Sequence, residues 1–368
     1  MKCIFTGGGT LGSVTPLLAI WEALQKECKG ILRVEALWIG TQGGVEHTLL
    51  KEYGIPSISI FSAKLRRYWS WKNFFSPIFF MLGMIQSLWI IFRFKPDIIV
   101  HAGGYVGVPV IIAGWILEKK SIIFQLDIEP SLANMIVSPF ATRVGVACEE
   151  ERMHYSSSKT EIIGIPVRSD IHIWSDDTKR RAARKTFFLP LGIQDTEKVV
   201  LVVGGGTGAA AINTLIWDAL PSLTKECHVI HLVGRGKMAS PMQSHDRYHP
   251  FEFLGKDFIP YLALSDIIIT RAGMGILSEC AALKKALIII PIPHSHQEKN
   301  ATYFCKREAA LCLSQNTVTP DECIVTIRRL LNDSKLSDMI STRIHNAFPK
   351  DATERAITLM KSLVHTSV

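Results

Sequence analysis

Residues 1–16 read MKCIFTGGGTLGSVTP, and residues 198–208 read KVVLVVGGGTG. In each, an apolar run of strand character enters a cluster of glycines and leaves into helix-like sequence. Glycine lets a backbone turn sharply and approach a ligand closely, and the amides and dipole at a helix start favour phosphate. Outward from the first copy, strand-like runs alternate with helix-length segments. Lys2–Phe5 is followed by helix-like Pro16–Gln25, then by strands at Val34–Ile39, Asp97–Val100, Ser121–Phe124 and Glu161–Ile163. From Val199 the pattern restarts, with further strands at His228–Val233, Ile267–Thr270 and Ala286–Ile290. Such alternation predicts parallel strands joined by crossover helices.

The expected fold is therefore α/β, with two Rossmann-like, doubly wound domains facing a cleft. The linking sequence, DDTKRRAARKTFFLP, follows a boundary placed between Gly164 and Asp170. The expected division is residues 1–166, residues 167–345, and a closing helix over 346–368 that packs back towards the first domain. A chain of 368 residues, 48% hydrophobic, holds more apolar sequence than one core usually takes. Charged residues are 20% of the chain, with no charge block or low-complexity tract, which excludes a disordered protein. The formal charge of +8 points to an anionic partner. Eight scattered cysteines contain no CxxC pair, so reduced core thiols are expected rather than a disulfide framework or a zinc site. The chain enters directly into strand-like sequence without a leader, which reads as cytoplasmic.

Gly7, Gly9 and Gly12 satisfy GxGxxG. A dinucleotide site also calls for an acidic residue ending the second strand, to hold a ribose. That strand ends Trp38-Ile39-Gly40-Thr41, without an acid, and the hydride-transfer reading loses ground. Further clusters fall at expected strand ends. GGYVGVP spans Gly103–Pro109, GIPVR brings Arg168 to where a guanidinium meets phosphate, and RAGMGILSE spans Arg271–Glu279. Glu279 is placed to accept ribose hydroxyls, although its spacing alone also fits a solvated helix residue. PIPHSHQEKNA supplies His294, His296, Gln297 and Asn300. Without a third ligand beside the histidines, these suit hydrogen bonding to a polar ligand better than a metal. Ligands of open parallel sheets bind beyond the carboxyl ends of the strands. The set matches a sugar nucleotide, with amides for diphosphate, a carboxylate for ribose and amide groups for sugar hydroxyls.

From Tyr53 to Pro96 the chain has no Asp or Glu, yet it carries Lys64, Arg66, Arg67, Lys72, Arg93 and Lys95 among many aromatics. Phe74–Phe92 approaches the length of a membrane span but contains Pro77, Gly83 and Gln86 and falls between strands of one sheet. The expectation is an apolar and basic patch lying on an anionic membrane face. No nucleic-acid module is apparent, and no nucleic-acid partner is expected.

Taken in order, TGGGTLGSVTP, KLRRYWSWKN, GGYVGVP, Leu132-Ala133-Asn134, GIPVR, RAGMGILSE, HQEKNA and the DATER segment at Asp351 resemble the MurG family of peripheral membrane N-acetylglucosaminyltransferases. The likeness spans nearly the whole chain. It implies a GT-B fold and inverting, metal-independent transfer of GlcNAc from UDP-GlcNAc to the 4-hydroxyl of the muramoyl sugar of lipid I, giving lipid II. It implies no cofactor, and a place at the cytoplasmic face of the bacterial plasma membrane. By position, Thr10, Leu11 and Gly12 line the sugar-nucleotide cleft, and Asn134 joins the substrate-binding set. Arg168 and the loop at Gly206 approach the phosphates, while Leu254 holds uracil through its backbone. Met274, Gly275, Ile276, Leu277, Ser278 and Glu279 wrap the nucleotide, with Glu279 on ribose, and Gln297 binds the GlcNAc hydroxyls. Lys64, Arg66, Arg67 and Lys72 face the membrane.

The chain departs from the family pattern in three places. Ser13 stands where the family has a histidine favoured as general base, and a hydroxyl has too high a pKa to replace it. Gln125 and Asp127 replace a Glu and an Asn, and Gly206-Thr207 replaces Ser-Gln. The paired change at Ser13 and Asp127 motivates Asp127 as the group that takes the proton from the acceptor hydroxyl, with ordinary drift at that position as the alternative reading. Two other readings stay open, a GT-B transferase using another lipid acceptor such as diacylglycerol and a non-catalytic UDP-GlcNAc-binding relative.

Overall fold

A computed structural model describes residues 1–9, 11–27, 34–44, 46–62, 76–205, 208–238 and 245–365. The chain forms two compact units, Met1–Arg168 with Pro349–Val368, and Ser169–Phe348.

The first unit carries strands β1 (Lys2–Thr6), β2 (Glu35–Thr41), β3 (Ser57–Ile60), β4 (Ile98–His101), β5 (Lys120–Gln125), β6 (Arg143–Val146) and β7 (Thr160–Ile162). They form one sheet in the order β3-β2-β1-β4-β5-β6-β7, every pair parallel. Strands covered on both faces read as continuous apolar runs, and β1, β2, β4 and β5 are buried along almost all of their length. The crossovers include helices α1 (Thr15–Glu27), α2 (Glu46–Glu52), α3 (Ser76–Phe94), α4 (Gly107–Ile116), α5 (Leu132–Val137) and α6 (Glu149–Arg152).

The second unit carries helices α7 (Ser169–Ile173), α8 (Asp177–Phe188), α9 (Ala210–Leu223), α10 (Phe258–Leu264), α11 (Met274–Ala282), α12 (His296–Lys306), α13 (Pro320–Asn332) and α14 (Ser334–His345). Its strands are β8 (Val199–Val203), β9 (His228–Leu232), β10 (Tyr248–Phe251), β11 (Ile267–Thr270), β12 (Ala286–Ile289) and β13 (Leu311–Cys312). The order β10-β9-β8-β11-β12-β13 is again all parallel. In both sheets the order reverses beside the strand that leads into the glycine cluster, β1 and β8. That reversal is the switch point at which loops part and leave room for a ligand.

The last helix, α15 (Ala352–His365), belongs to the first unit, where it packs on α1 and pairs Lys361 with Glu27. Gly164 (φ +83°) permits the approach of this segment, because a Cβ there would lie 2.9 Å from Ala352 Cβ.

Helix α3 inverts the usual pattern of a surface helix. Its buried residues are Ser76, Gly83, Ser87, Ile90 and Ile91. Gly83 is required, since a Cβ would fall 2.0 Å from the Phe61 carbonyl oxygen. The large apolar side chains point outward, with Ile85 61%, Trp89 59% and Phe92 68% exposed. By length and composition α3 is also apolar enough to cross a bilayer. It is nevertheless the crossover between β3 and β4 of one sheet.

Among the described cysteines, Cys3, Cys148, Cys227, Cys280 and Cys323 are buried and outside any disulfide, as core thiols should be. Cys305 and Cys312, expected as reduced thiols, are instead joined in a disulfide with a Cα–Cα separation of 6.2 Å. Their separation of seven residues matches no sequence motif. They meet because Cys305 sits at the end of α12 and Cys312 on the edge strand β13.

Candidate active site

The glycine loops of the first unit are packed against one another. Gly9 takes φ +84° and Gly104 takes φ +94°. A Cβ on Gly104 would lie 2.7 Å from the Gly8 carbonyl oxygen, so the turns after β1 and β4 touch backbone to backbone. The indole Nε1 of Trp38 donates to the Gly7 carbonyl at 3.0 Å and fixes the turn from beneath. Ser13 lies in a short 3-10 turn over Leu11–Ser13, buried beside Gly7 and Gly103, while Gly12 is exposed. Thr10 lies outside the described residues.

The acid found missing from the end of β2 arrives from α2. Glu46 is fully buried, and its Oε1 accepts from the Thr41 amide at 2.8 Å and the Thr41 hydroxyl at 2.7 Å. Its carboxylate occupies the space that side chains at Gly8, Gly40 and Gly44 would need. Three glycines and one carboxylate thus form a single packed unit. Glu46 is turned into that packing, where it braces the glycine loop.

At the end of β5 lies a second polar cluster. Gln125, 1% exposed, accepts at Oε1 from Asn134 Nδ2 (2.7 Å) and from the Tyr155 hydroxyl (2.9 Å). Its Nε2 donates to the carbonyls of Asp127 (2.5 Å) and Glu129 (3.4 Å). Asn134 also donates to the Phe124 carbonyl at 3.4 Å, and its own amide is capped by Ser131. Asn134 adjoins His101, which is fully buried with Nδ1 3.0 Å from the Thr6 carbonyl. Burial pulls the His101 imidazole down to about 4. Asp127 is half-buried on the loop that Gln125 holds. Glu151 accepts from the Ala147 amide at 2.8 Å, and its burial, aided by the charge of Asp127, raises its carboxyl well above the ordinary range. Burial and the Glu151 charge raise the Tyr155 phenol as well.

In the second unit, Gly208 (φ +72°) presses on the loop after β9, where a Cβ would lie 2.2 Å from the Val233 carbonyl. A Cβ on Gly205 (φ +96°) would meet open space. Gly206 and Thr207 lie outside the described residues. Leu254 is half-buried and opens a 3-10 turn, its carbonyl accepting from the Asp257 amide at 3.0 Å. The turn after β11 leads through Gly273, which also faces open space, into the start of α11. There Met274, Gly275, Leu277, Ser278 and Glu279 are buried and Ile276 half-buried. Glu279, which spacing alone would leave solvated, is 6% exposed. Arg168 is half-buried at the last position of the first unit's main segment.

The loop before α12 is fixed at both ends. Arg271 donates to the carbonyls of Ile290 (3.0 Å) and Pro291 (3.2 Å) and to Gln315 (2.6 Å). Gln297 accepts from the Ile292 amide at 3.2 Å. Asn300, expected to meet a ligand, is instead fully buried and donates to the Ala272 carbonyl at 2.9 Å, tying α12 to the turn before α11. His294 and His296 are exposed. Among the described residues no group of three or more His, Cys, Asp or Glu side chains is placed to hold a metal ion. Sequence reasoning missed Glu46 and Glu151, which fold back onto nearby residues, and His101 and Tyr155, which reach their partners across the sheet.

This chain is similar in structure to a MurG from Acinetobacter baumannii, with a TM-score of 0.71 at 21% identity, covering 98% of this chain and 99% of that one. It is also similar to a UDP-GlcNAc 2-epimerase from Neisseria meningitidis solved with UDP-GlcNAc, with a TM-score of 0.69 at 15% identity over 98% and 100% of the two chains. Two Rossmann-like units of this kind define the GT-B class. The glycosyltransferase family 28 N-terminal domain matches residues 3–146, and the family 28 C-terminal domain matches residues 199–355. A Bacillus cereus UDP-N-acetylglucosamine--N-acetylmuramyl-(pentapeptide) pyrophosphoryl-undecaprenol N-acetylglucosamine transferase 2 is 32% identical over 97% of this chain and 98% of its own length. A Legionella pneumophila transferase of the same reaction name is 31% identical over 98% and 97%. The chain belongs to the MurG family of glycosyltransferase family 28.

Proposed function

We propose that this protein transfers GlcNAc from UDP-GlcNAc to the muramoyl 4-hydroxyl of lipid I, forming lipid II in peptidoglycan synthesis. The observation that carries this reading is the likeness, at 31–32% identity over nearly the full length, to transferases named for that reaction.

In this reading the second unit holds the donor. The start of α11 turns unpaired amides and a positive dipole end towards the diphosphate, at a turn where Gly273 leaves open space. Glu279 takes the ribose hydroxyls, Leu254 the uracil, and Gln297 the GlcNAc hydroxyls, with Arg168 and the Gly206 loop serving the phosphates. The first unit meets the acceptor at Ser13 and Asp127, with the buried Asn134 standing behind them, while Thr10, Leu11 and Gly12 serve the sugar nucleotide. The acceptor oxygen bonds to C1 of GlcNAc as the bond from C1 to the diphosphate oxygen breaks, and UDP leaves with the electron pair. Asp127 takes the proton from the acceptor hydroxyl. Its half-buried setting suits a carboxylate that must meet both solvent and substrate.

The membrane contact of this reading is the outward face of α3 and its neighbours. α4 packs on α3 and α5 on α4, and they add exposed Trp115, Ile116, Met135 and Ile136. Contiguous exposed apolar side chains on this scale mark an interaction surface. Lys64, Arg66, Arg67 and Lys72, on the segment leading into α3, lie outside the described residues and in this reading supply charge for anionic lipid at the cytoplasmic face. Incubation with UDP-GlcNAc and a short-chain lipid I analogue tests the assignment. UDP release with lipid I but not with diacylglycerol is expected, and release with diacylglycerol alone would replace the acceptor.

A further inference from the structure

The loop bearing Asp127 is shaped by one side chain, that of Gln125. The carboxamide uses both ends in full, the oxygen accepting from Asn134 (2.7 Å) and Tyr155 (2.9 Å) and the nitrogen donating to the Asp127 (2.5 Å) and Glu129 (3.4 Å) carbonyls. The amide orientation follows from chemistry, because two backbone carbonyls on one side accept only from an N–H. Asn134 extends the chain of contacts to His101, and His101 to the Thr6 carbonyl at the mouth of the first glycine turn. Buried polar side chains therefore lie between the end of β1 and the loop after β5.

We infer that Gln125 is the positioning residue for acceptor recognition in this chain, holding the Asp127 loop through donation that a carboxylate cannot supply. This rests on the reading above, in which Asp127 meets the acceptor. An ionised Glu at the same position would keep the bonds from Asn134 and Tyr155. Its second oxygen, however, would face two carbonyl oxygens in a site sealed from water, and the loop would be pushed off its geometry. A protonated Glu would restore one donor. The titratable groups near the carboxamide are His101, Tyr155, Glu151 and Asp127 itself.

The test is steady-state kinetics of Gln125→Glu and Gln125→Met with lipid I analogue and UDP-GlcNAc between pH 5.5 and 8.5. For Gln125→Glu the acceptor KM is expected to rise about tenfold at the alkaline end and to recover as the pH falls, with the donor KM unchanged. Gln125→Met, which keeps the bulk but cannot donate, is expected to raise the acceptor KM similarly at every pH. Wild type shows no such acid-side recovery. If Gln125→Glu does not fold, the flat rise in Gln125→Met decides alone. An acceptor KM equal to wild type in the folded variants overturns the inference. Asp127→Asn separates the two layers. If it keeps full turnover, the assignment of Asp127 falls, and if it loses turnover while both Gln125 variants behave as wild type, only the positioning role falls.

Discussion

Glu46 Oε1 accepts both the backbone amide and the hydroxyl of Thr41, at 2.8 and 2.7 Å, and so closes the end of β2 beneath the first glycine turn. Removing this acceptor leaves two buried donors at Thr41 unpaired. Glu46→Ala is expected to cost about 3 kcal/mol of unfolding free energy in a urea titration. A loss below about 0.5 kcal/mol, within the range of ordinary surface changes, would contradict the bracing role.

Two glycines with positive φ should respond unequally to alanine. At Gly104 (φ +94°) a Cβ would collide with the Gly8 carbonyl, whereas at Gly43 (φ +65°) it would meet open space. Gly104→Ala should cost about 3 kcal/mol, from strain and overpacking together. Gly43→Ala should cost about 1 kcal/mol, from backbone conformation alone. Equal costs in thermal melts would remove the case for a loop-to-loop contact.

Acid should weaken the fold through buried neutral histidines. Burial lowers His101 to about 4 and His231 to about 3, whereas in an unfolded chain both take up a proton near the ordinary histidine value. Below that value the unfolded state binds more protons, so stability falls with falling pH until the folded-state values are reached. The slope is about 1.4 kcal/mol per pH unit for each histidine inside this window. Glu151 acts in the opposite sense, because its raised carboxyl loses stability as the pH rises above the ordinary carboxylate value. A difference profile isolates the histidine part. Between pH 6.5 and 4.5, His231→Gln should show a shallower decline in Tm than wild type. Parallel profiles would refute the assignment.

The outward face of α3 should govern membrane binding without governing folding. Trp89→Glu and Ile85→Glu replace side chains 59% and 61% exposed, so unfolding free energy should change by less than about 1 kcal/mol. Co-sedimentation with vesicles of anionic phospholipid should weaken about tenfold or more for the pair. Undiminished partitioning would move the membrane contact elsewhere.

Much of the fold was legible because buried parallel strands leave unmistakable apolar runs, such as VVLVV in β8 and IIVH in β4. The glycine clusters then marked the strand ends at which a site belongs. Side chains that meet through topology were not legible. Glu46 lies only five residues beyond Thr41, yet that spacing carries no sign that its carboxylate turns back onto the strand end. Asn134 and Tyr155 converge on Gln125 from distant parts of the chain, a meeting that no spacing encodes. Asn300 reads as ligand-facing in the sequence because a polar residue near a strand end carries no sign of whether it turns inward. The face of α3 misleads in the other direction, since Ser76, Gly83 and Ser87 join Ile90 and Ile91 on its buried side while Ile85, Trp89 and Phe92 face outward.

The most direct test of the proposed activity is UDP release by the purified chain supplied with UDP-GlcNAc and a short-chain lipid I analogue. The account predicts stoichiometric UDP and a disaccharide-bearing lipid product only when both are present. Tight binding of UDP-GlcNAc with no turnover on any lipid acceptor would contradict it.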